Sequence, residues 1–220
     1  MNKNSNLSNS NLILIFMLGS FIGCIYEEIL TLFQRGHFEF RRGVLFGPFN
    51  PVYGFGLLII IIVLYKIKKP INKLLTASFV GGLFEYLIWF FQKLFFKHES
   101  WNYKTPFVIN NKPFLSFLYW GGTSFFHALS WGLASFIFIQ FLFPHIINLL
   151  NKINAKTKNK IAKICAIFMV INLIITLIAM IRYNYRQEMI KNNLEYSKNI
   201  IDLIFNDNYI QIIFPNMKPV

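Results

Sequence analysis

Charge is the scarcest property of this 220-residue sequence. Only 14% of its residues are charged, against about 25% in a soluble domain, and only nine are acidic. That is too little surface-forming material for an ordinary soluble enzyme. Cysteine is nearly absent too: Cys24 and Cys165 each sit in an apolar run, which gives no support to a disulfide scaffold or a metal pair. There is no GxxxxGK[ST] nucleotide loop, no HExxH, no GxSxG and no CxxC. No metal ligand set or cofactor is therefore expected, and an enzyme is the less favoured class. What the sequence has in quantity is apolar surface: 55% hydrophobic residues, 18% aromatic ones and a mean hydropathy of +0.47. Its 22 Lys and Arg give a net charge of +13. Because they punctuate runs that water cannot solvate, they point to lipid headgroups rather than nucleic acid. An integral, all-α polytopic membrane protein is the class that remains.

A helix needs about 20 apolar residues to cross the bilayer core. Five apolar segments, at approximately 12–33, 52–65, 74–96, 114–143 and 161–181, make about five spans in a single transmembrane domain over 1–182. Residues 183–220 form a polar tail whose scattered Ile, Leu and Phe suggest an amphipathic surface helix. The second segment is short, about 14 residues or roughly 21 Å of helix, and the fourth, about 30 residues, is too long for one upright helix. No A-x-A-like cleavage site follows the first segment, so it reads as a retained span. Five spans put ten cations on one side and eleven on the other. The lysine-dense connections at 66–73 and 152–163 then favour a cytoplasmic N-terminus in the cell membrane.

Before the second segment lie Arg41, Arg42, Gly43, Gly47, Pro48, Pro51, Tyr53, Gly54 and Gly56. Such a run cannot begin as a regular helix. Within a bilayer its backbone must be buried in protein or line a wet cavity; the alternative is a surface loop leading to a short, tilted span. Residues 20–34 and 78–92 also match at Ser20/Ser78, Phe21/Phe79, Gly23/Gly81, Glu27/Glu85, Phe33/Phe91 and Gln34/Gln92. The match predicts a parallel tandem repeat of two-helix units, with Glu27 and Glu85 at equivalent depth. Carboxylates are expensive inside a span and mark sites by default, so Glu27, Glu28 and Glu85 are candidates for a substrate or ion pathway. Arg41 and Arg42 are candidate counter-charges, Arg42 being favoured. Structural ion pairing is the competing explanation. His127 has no second ligand at metal spacing and is expected to serve in packing more than in chemistry. Glu27-Glu28 is similar to the double-Glu pattern of intramembrane CAAX-type proteases, but Leu32 stands where that pattern needs Arg.

Arg42-Gly43, Gly47-Pro48, Pro51-x-Tyr53-Gly54 and Gly56 resemble the CmpB-like membrane proteins, a family of type IV ABC-transporter permeases. A second block, Glu85, Tyr86, Trp101, Tyr103, Pro106, Phe107, Asn110, Trp120 and Gly121, is similar to the same family. Departures are Arg41 for Asn, Gln92 for Glu, Asn102 for Asp, Val108 for Asn, Asn111 for Gly and Lys112 for Arg. The resemblance covers about residues 15 to 145. It implies the membrane component of a transport system of unknown substrate, served by a separate ATPase, with Tyr53, Trp101 and Tyr103 joining the pathway. Two other classes stay open: an intramembrane enzyme on lipid, using a glutamate with His127 or the Trp101/Tyr103 loop, and a non-catalytic scaffold or lipid-organising protein. Oligomerisation is open as well.

Overall fold

The computed structural model describes residues 7–104, 108–109, 112–113, 116–215 and 218–219. Pro106, Phe107, Asn110, Asn111 and Phe114 lie outside the described residues. The fold is all-α. Helix α1 (Asn9–Arg35) is capped by the Ser8 side chain and stopped by Gly36, whose φ of 74° closes the last turn onto Leu32. Asn50 caps α2 (Pro51–Leu64), which opens with proline at its first position, where no N–H is missed. Helix α3 (Pro70–Phe96) also starts on proline. In the connection that follows, His98–Glu99 pairs antiparallel with Lys218–Pro219, Val108–Ile109 pairs with Lys112–Pro113, and Ser116–Leu118 makes a 3-10 turn, before Ser124 caps α4 (Phe125–Ile137). A π turn over Phe138–Leu142 joins α4 to α5 (Phe143–Lys152). Pro144 explains the widened turn, because its ring excludes a normal hydrogen bond to the preceding turn. Helix α6 (Ala155–Lys191) precedes the short α7 (Ile200–Ile204) and α8 (Asp207–Ile213).

Four stretches are long and apolar enough to cross a membrane: α1, α3, the Phe125–Lys152 rod with its π turn, and α6. Helix α2, with 14 residues, is a shorter apolar helix. Two boundaries differ from those the sequence suggests. The rod begins at Phe125 instead of 114 and runs to Lys152, because Ser124 supplies the cap and the apolar residues before it belong to the loop. Helix α6 continues beyond 181 because Arg182 and Arg186 are not interfacial cations: they hold the acids of the tail. With 37 residues it is about 55 Å long, well beyond the roughly 30 Å hydrocarbon core.

The Gly/Pro segment is folded into the protein. Val44 and Leu45 are buried, and Gly47 turns the chain at a φ of 76°. Its backbone is satisfied from both sides. Asn172 of α6 accepts from the Phe46 N–H at 3.1 Å and donates to the Phe46 carbonyl at 2.7 Å, while Thr176 accepts from the Leu45 N–H at 3.0 Å. On the other side the Asn50 N–H donates to the Ser20 carbonyl of α1 at 2.8 Å. Irregular backbone at membrane depth survives on such partners. Asn172→Ala orphans both polar groups of Phe46 and is expected to cost about 2 kcal/mol. Thermal unfolding in detergent checks this; an unchanged melting temperature would mean that the Asn172 bonds contribute nothing.

The internal repeat extends into the second helix of each unit. A Cβ on Gly54 would lie 2.2 Å from Ser20 Oγ and 2.7 Å from the Phe16 carbonyl oxygen; one on Gly132 would lie 1.9 Å from Ser78 Oγ and 3.0 Å from the Leu74 carbonyl oxygen. Ser20 and Ser78, like Phe16 and Leu74, are repeat mates. Gly23 likewise faces the Tyr53 ring, and its mate Gly81 faces Trp131. Tyr53-Gly54 on α2 therefore corresponds to Trp131-Gly132 on α4. The most extensive helix contacts are α1 with α2 and α3 with α4, as two successive hairpins require. The close approaches explain the small residues: an aromatic ring seats on a helix backbone only where no side chain intervenes.

Candidate functional site

The two hairpins bring their aromatic mates together, with Tyr53 and Trp131 ring centroids 5.8 Å apart. One turn beyond the glycine that seats each ring stands the matched acid, Glu27 beyond Gly23 and Glu85 beyond Gly81. The Tyr53 hydroxyl donates to Glu27 Oε1, and Arg41 Nε lies 3.2 Å from Glu27 Oε2. Glu28 points elsewhere, as the 100° step between helical neighbours requires. It is buried, accepts from Cys24 Sγ at 3.6 Å and takes the Arg41 backbone N–H at 3.5 Å.

Glu85 is only 8% exposed. It accepts from the Thr123 hydroxyl at 2.7 Å and the Tyr103 hydroxyl at 3.0 Å, and the Trp131 side chain adds to its hydrogen bonding. Glu27 and Glu85 are close enough to interact electrostatically, and Tyr103 senses both Glu27 and Arg41. Two of these donors, Tyr103 and Thr123, come from the connection before α4, whose described residues at 99–103 and 121–122 are tied together. The Tyr103 N–H donates to the Gly121 carbonyl at 2.7 Å, and Trp101 Nε1 donates to the Gly122 carbonyl at 2.8 Å. Glu99 gathers Trp89 Nε1, the Asn102 amide and Lys93. Burial, then the neighbouring Glu85 carboxylate, push the Tyr103 phenol above its ordinary range, so it stays a donor.

The sequence candidates thus divide. Glu27, Glu85, Tyr53 and Tyr103 meet in one constellation. His127 stacks on the Tyr103 ring at 3.5 Å and turns Nδ1 to Ser124 Oγ at 2.7 Å, so it touches the carboxylates only through Tyr103. Trp101 fastens the loop and is not among the ligands of either acid. The arginine on Glu27 is Arg41, while the Arg42 guanidinium lies 4.0 Å over the Phe40 ring. Of the expected irregular segment, Gly43, Gly47 and Pro48 lie in the non-helical stretch that follows Arg41, whereas Pro51, Gly54 and Gly56 belong to the regular helix α2 that carries Tyr53, because the Asn50 cap and a proline at the first position start the helix there. Sequence reasoning missed Thr123 and Trp131. The Trp131-Gly132 signal was present, but the connection before α4 is longer than that before α2, so the second helices fall outside the spacing that aligns the first. Thr123 lies in that longer connection, outside the stretch that the repeat aligns.

Long apolar helices, a buried irregular segment and interior carboxylates define an integral, polytopic helical membrane protein. The chain belongs to the family described as "Putative ABC-transporter type IV", whose model matches residues 14–177. No curated protein and no solved structure was found to match it.

Proposed function

We propose that the chain is the membrane component of a transport system and that the Glu27/Glu85 constellation contacts its substrate or coupling ion. The observation that carries this is the meeting of two repeat-matched acids, from separate hairpins, beside one aromatic pair. Transporters built from repeats place their sites at the repeat interface, next to interrupted backbone; here the non-helical 41–50 segment occupies that place. Family membership supports a permease working with a separate ATPase subunit, since this sequence has no nucleotide loop. The single transmembrane domain, extended from 182 to the end of α6 at Lys191, sits in the cell membrane with its N-terminus cytoplasmic, and the tail beyond it serves as an accessory.

Glu85→Gln keeps the shape and removes the charge. Loss of a charged hydrogen-bonding group is worth about 1.5–3 kcal/mol, so transport is expected to fall at least about tenfold. The check is solute profiling of cells and medium for a deletion strain carrying wild-type protein or Glu85→Gln. A solute whose distribution is restored by wild type alone supports transport. Unchanged distribution of every solute on deletion argues against it, and a change confined to membrane lipids transfers the site to lipid chemistry.

A further inference from the structure

The repeat is symmetric in its acids and asymmetric in its cations. On the first hairpin, Glu27 holds Arg41, and Arg42 lies within electrostatic reach of Cys24, which bonds Glu28. Two glutamates and two arginines there nearly neutralise each other. On the second hairpin Glu85 has no ion pair with any described residue. The groups facing it are Tyr103 and Thr123 from the loop and Trp131 from α4, all neutral donors, with Glu27 on α1 adding negative charge. Tyr53, the group between the acids on α2, is committed to Glu27. His127 is turned to Ser124, and Arg41 is occupied by Glu27.

We propose that Glu85 is a reversible proton-binding site in the membrane interior, whereas the charge of its repeat mate Glu27 is balanced by Arg41. An unpaired anion at this depth is costly, and a proton removes that cost without disturbing the packing. The ligand is a single proton on a carboxyl oxygen: burial favours the neutral acid, while the Tyr103, Thr123 and Trp131 donors stabilise the anion left when the proton leaves, so the site can cycle. Approach of a cation would release it. Within the transport reading, on whose site this rests, the chain then carries a proton that can exchange for a cationic substrate or ion.

Carbodiimides add to protonated carboxyls buried in apolar surroundings, so the test is labelling of purified protein in lipid vesicles with dicyclohexylcarbodiimide, read by peptide mass spectrometry. The adduct is expected on Glu85 and not on Glu27, absent in Glu85→Gln, and falling about tenfold per pH unit once the carboxyl ionises. Arg41→Gln, which removes the counter-charge, is expected to bring labelling to Glu27. Equal labelling of both acids in wild type overturns the proposal. So does an unlabelled Glu85 at every pH when the same peptide labels after unfolding. Labelling reports proton occupancy whether or not solute moves, so a protein that labels as expected but transports nothing overturns the transport reading alone.

Discussion

Arg186→Met is expected to free the C-terminal segment from α6 and to destabilise the protein by about 3–5 kcal/mol, the usual consequence of removing one partner from a buried ion-pair network. Arg186 is only 2% exposed. Its guanidinium pairs with Asp202 and with Asp207 at 2.6 Å, and donates to the Phe205 carbonyl at 3.0 Å. Arg182 binds the other oxygen of Asp202, and Asn199 completes a capping box with that acid at the start of α7. Leu45, Tyr183, Phe205 and Ile210 pack around this clamp, so the tail also covers the Gly/Pro segment. Hydrogen bonds from Arg182 hold the Asp202 carboxyl well below the usual carboxylate range, against the opposing effect of burial. Its folded pKa is thus below its unfolded one. The stabilisation is present above the ordinary value near 4 and is lost as pH falls toward the folded value. Thermal unfolding in detergent at neutral pH, followed by limited proteolysis, is the check: Arg186→Met should melt earlier and be cut between 191 and 207. An unchanged melting temperature and an intact tail would show that the clamp does not hold the segment.

Gly54→Ala is expected to spread the first hairpin, and Gly132→Ala the second, each costing about 1–3 kcal/mol as overpacking at a tight contact. The matched positions differ in what stands closest to the added methyl group. At Gly132 the closest obstacle is Ser78 Oγ, with the Leu74 carbonyl at 3.0 Å, so Ser78→Ala should recover part of the loss. At Gly54 the Phe16 carbonyl oxygen at 2.7 Å is itself prohibitive, so Ser20→Ala should recover little. Comparing melting temperatures of the two single and two double variants tests both the repeat and its asymmetry. Equal rescue at the two sites would contradict the contact geometry.

Much of this was legible in the sequence because the bilayer leaves few choices. The apolar runs gave α1, α3 and α6, and the shortness of α2 was already visible between Pro51 and the lysines from Lys66. Pro51, Gly54 and Gly56 belong to the regular helix α2, but Gly43, Gly47 and Pro48 announced a segment that had to find its hydrogen bonds elsewhere. They could not announce that Asn172 and Thr176, more than a hundred residues away, would provide them. Glu27 and Glu85 were visible as mates through the Ser, Gly and Gln around them. Pairwise choice was not visible: two adjacent arginines are equivalent in sequence, and only the fold sends Arg41 to Glu27 and Arg42 to Phe40. The start of the fourth span was misplaced because hydropathy cannot distinguish Phe and Leu of a loop from those of a helix. The tail was read as separate since the acids that capture Arg182 and Arg186 lie 16 to 21 residues further along.

The account depends most on the two hairpins meeting at Tyr53 and Trp131, since that contact places Glu27 and Glu85 in one site. Cysteines at these two positions, in a chain without Cys24 and Cys165, can be joined in native membranes by a short bis-thiol reagent and read by mass spectrometry of the linked peptides. The expected result is efficient cross-linking of the 53–131 pair, and none between 53 and a cysteine replacing Ile178 on the exposed face of α6. Cross-linking no better at 53–131 than at 53–178 would contradict the shared site.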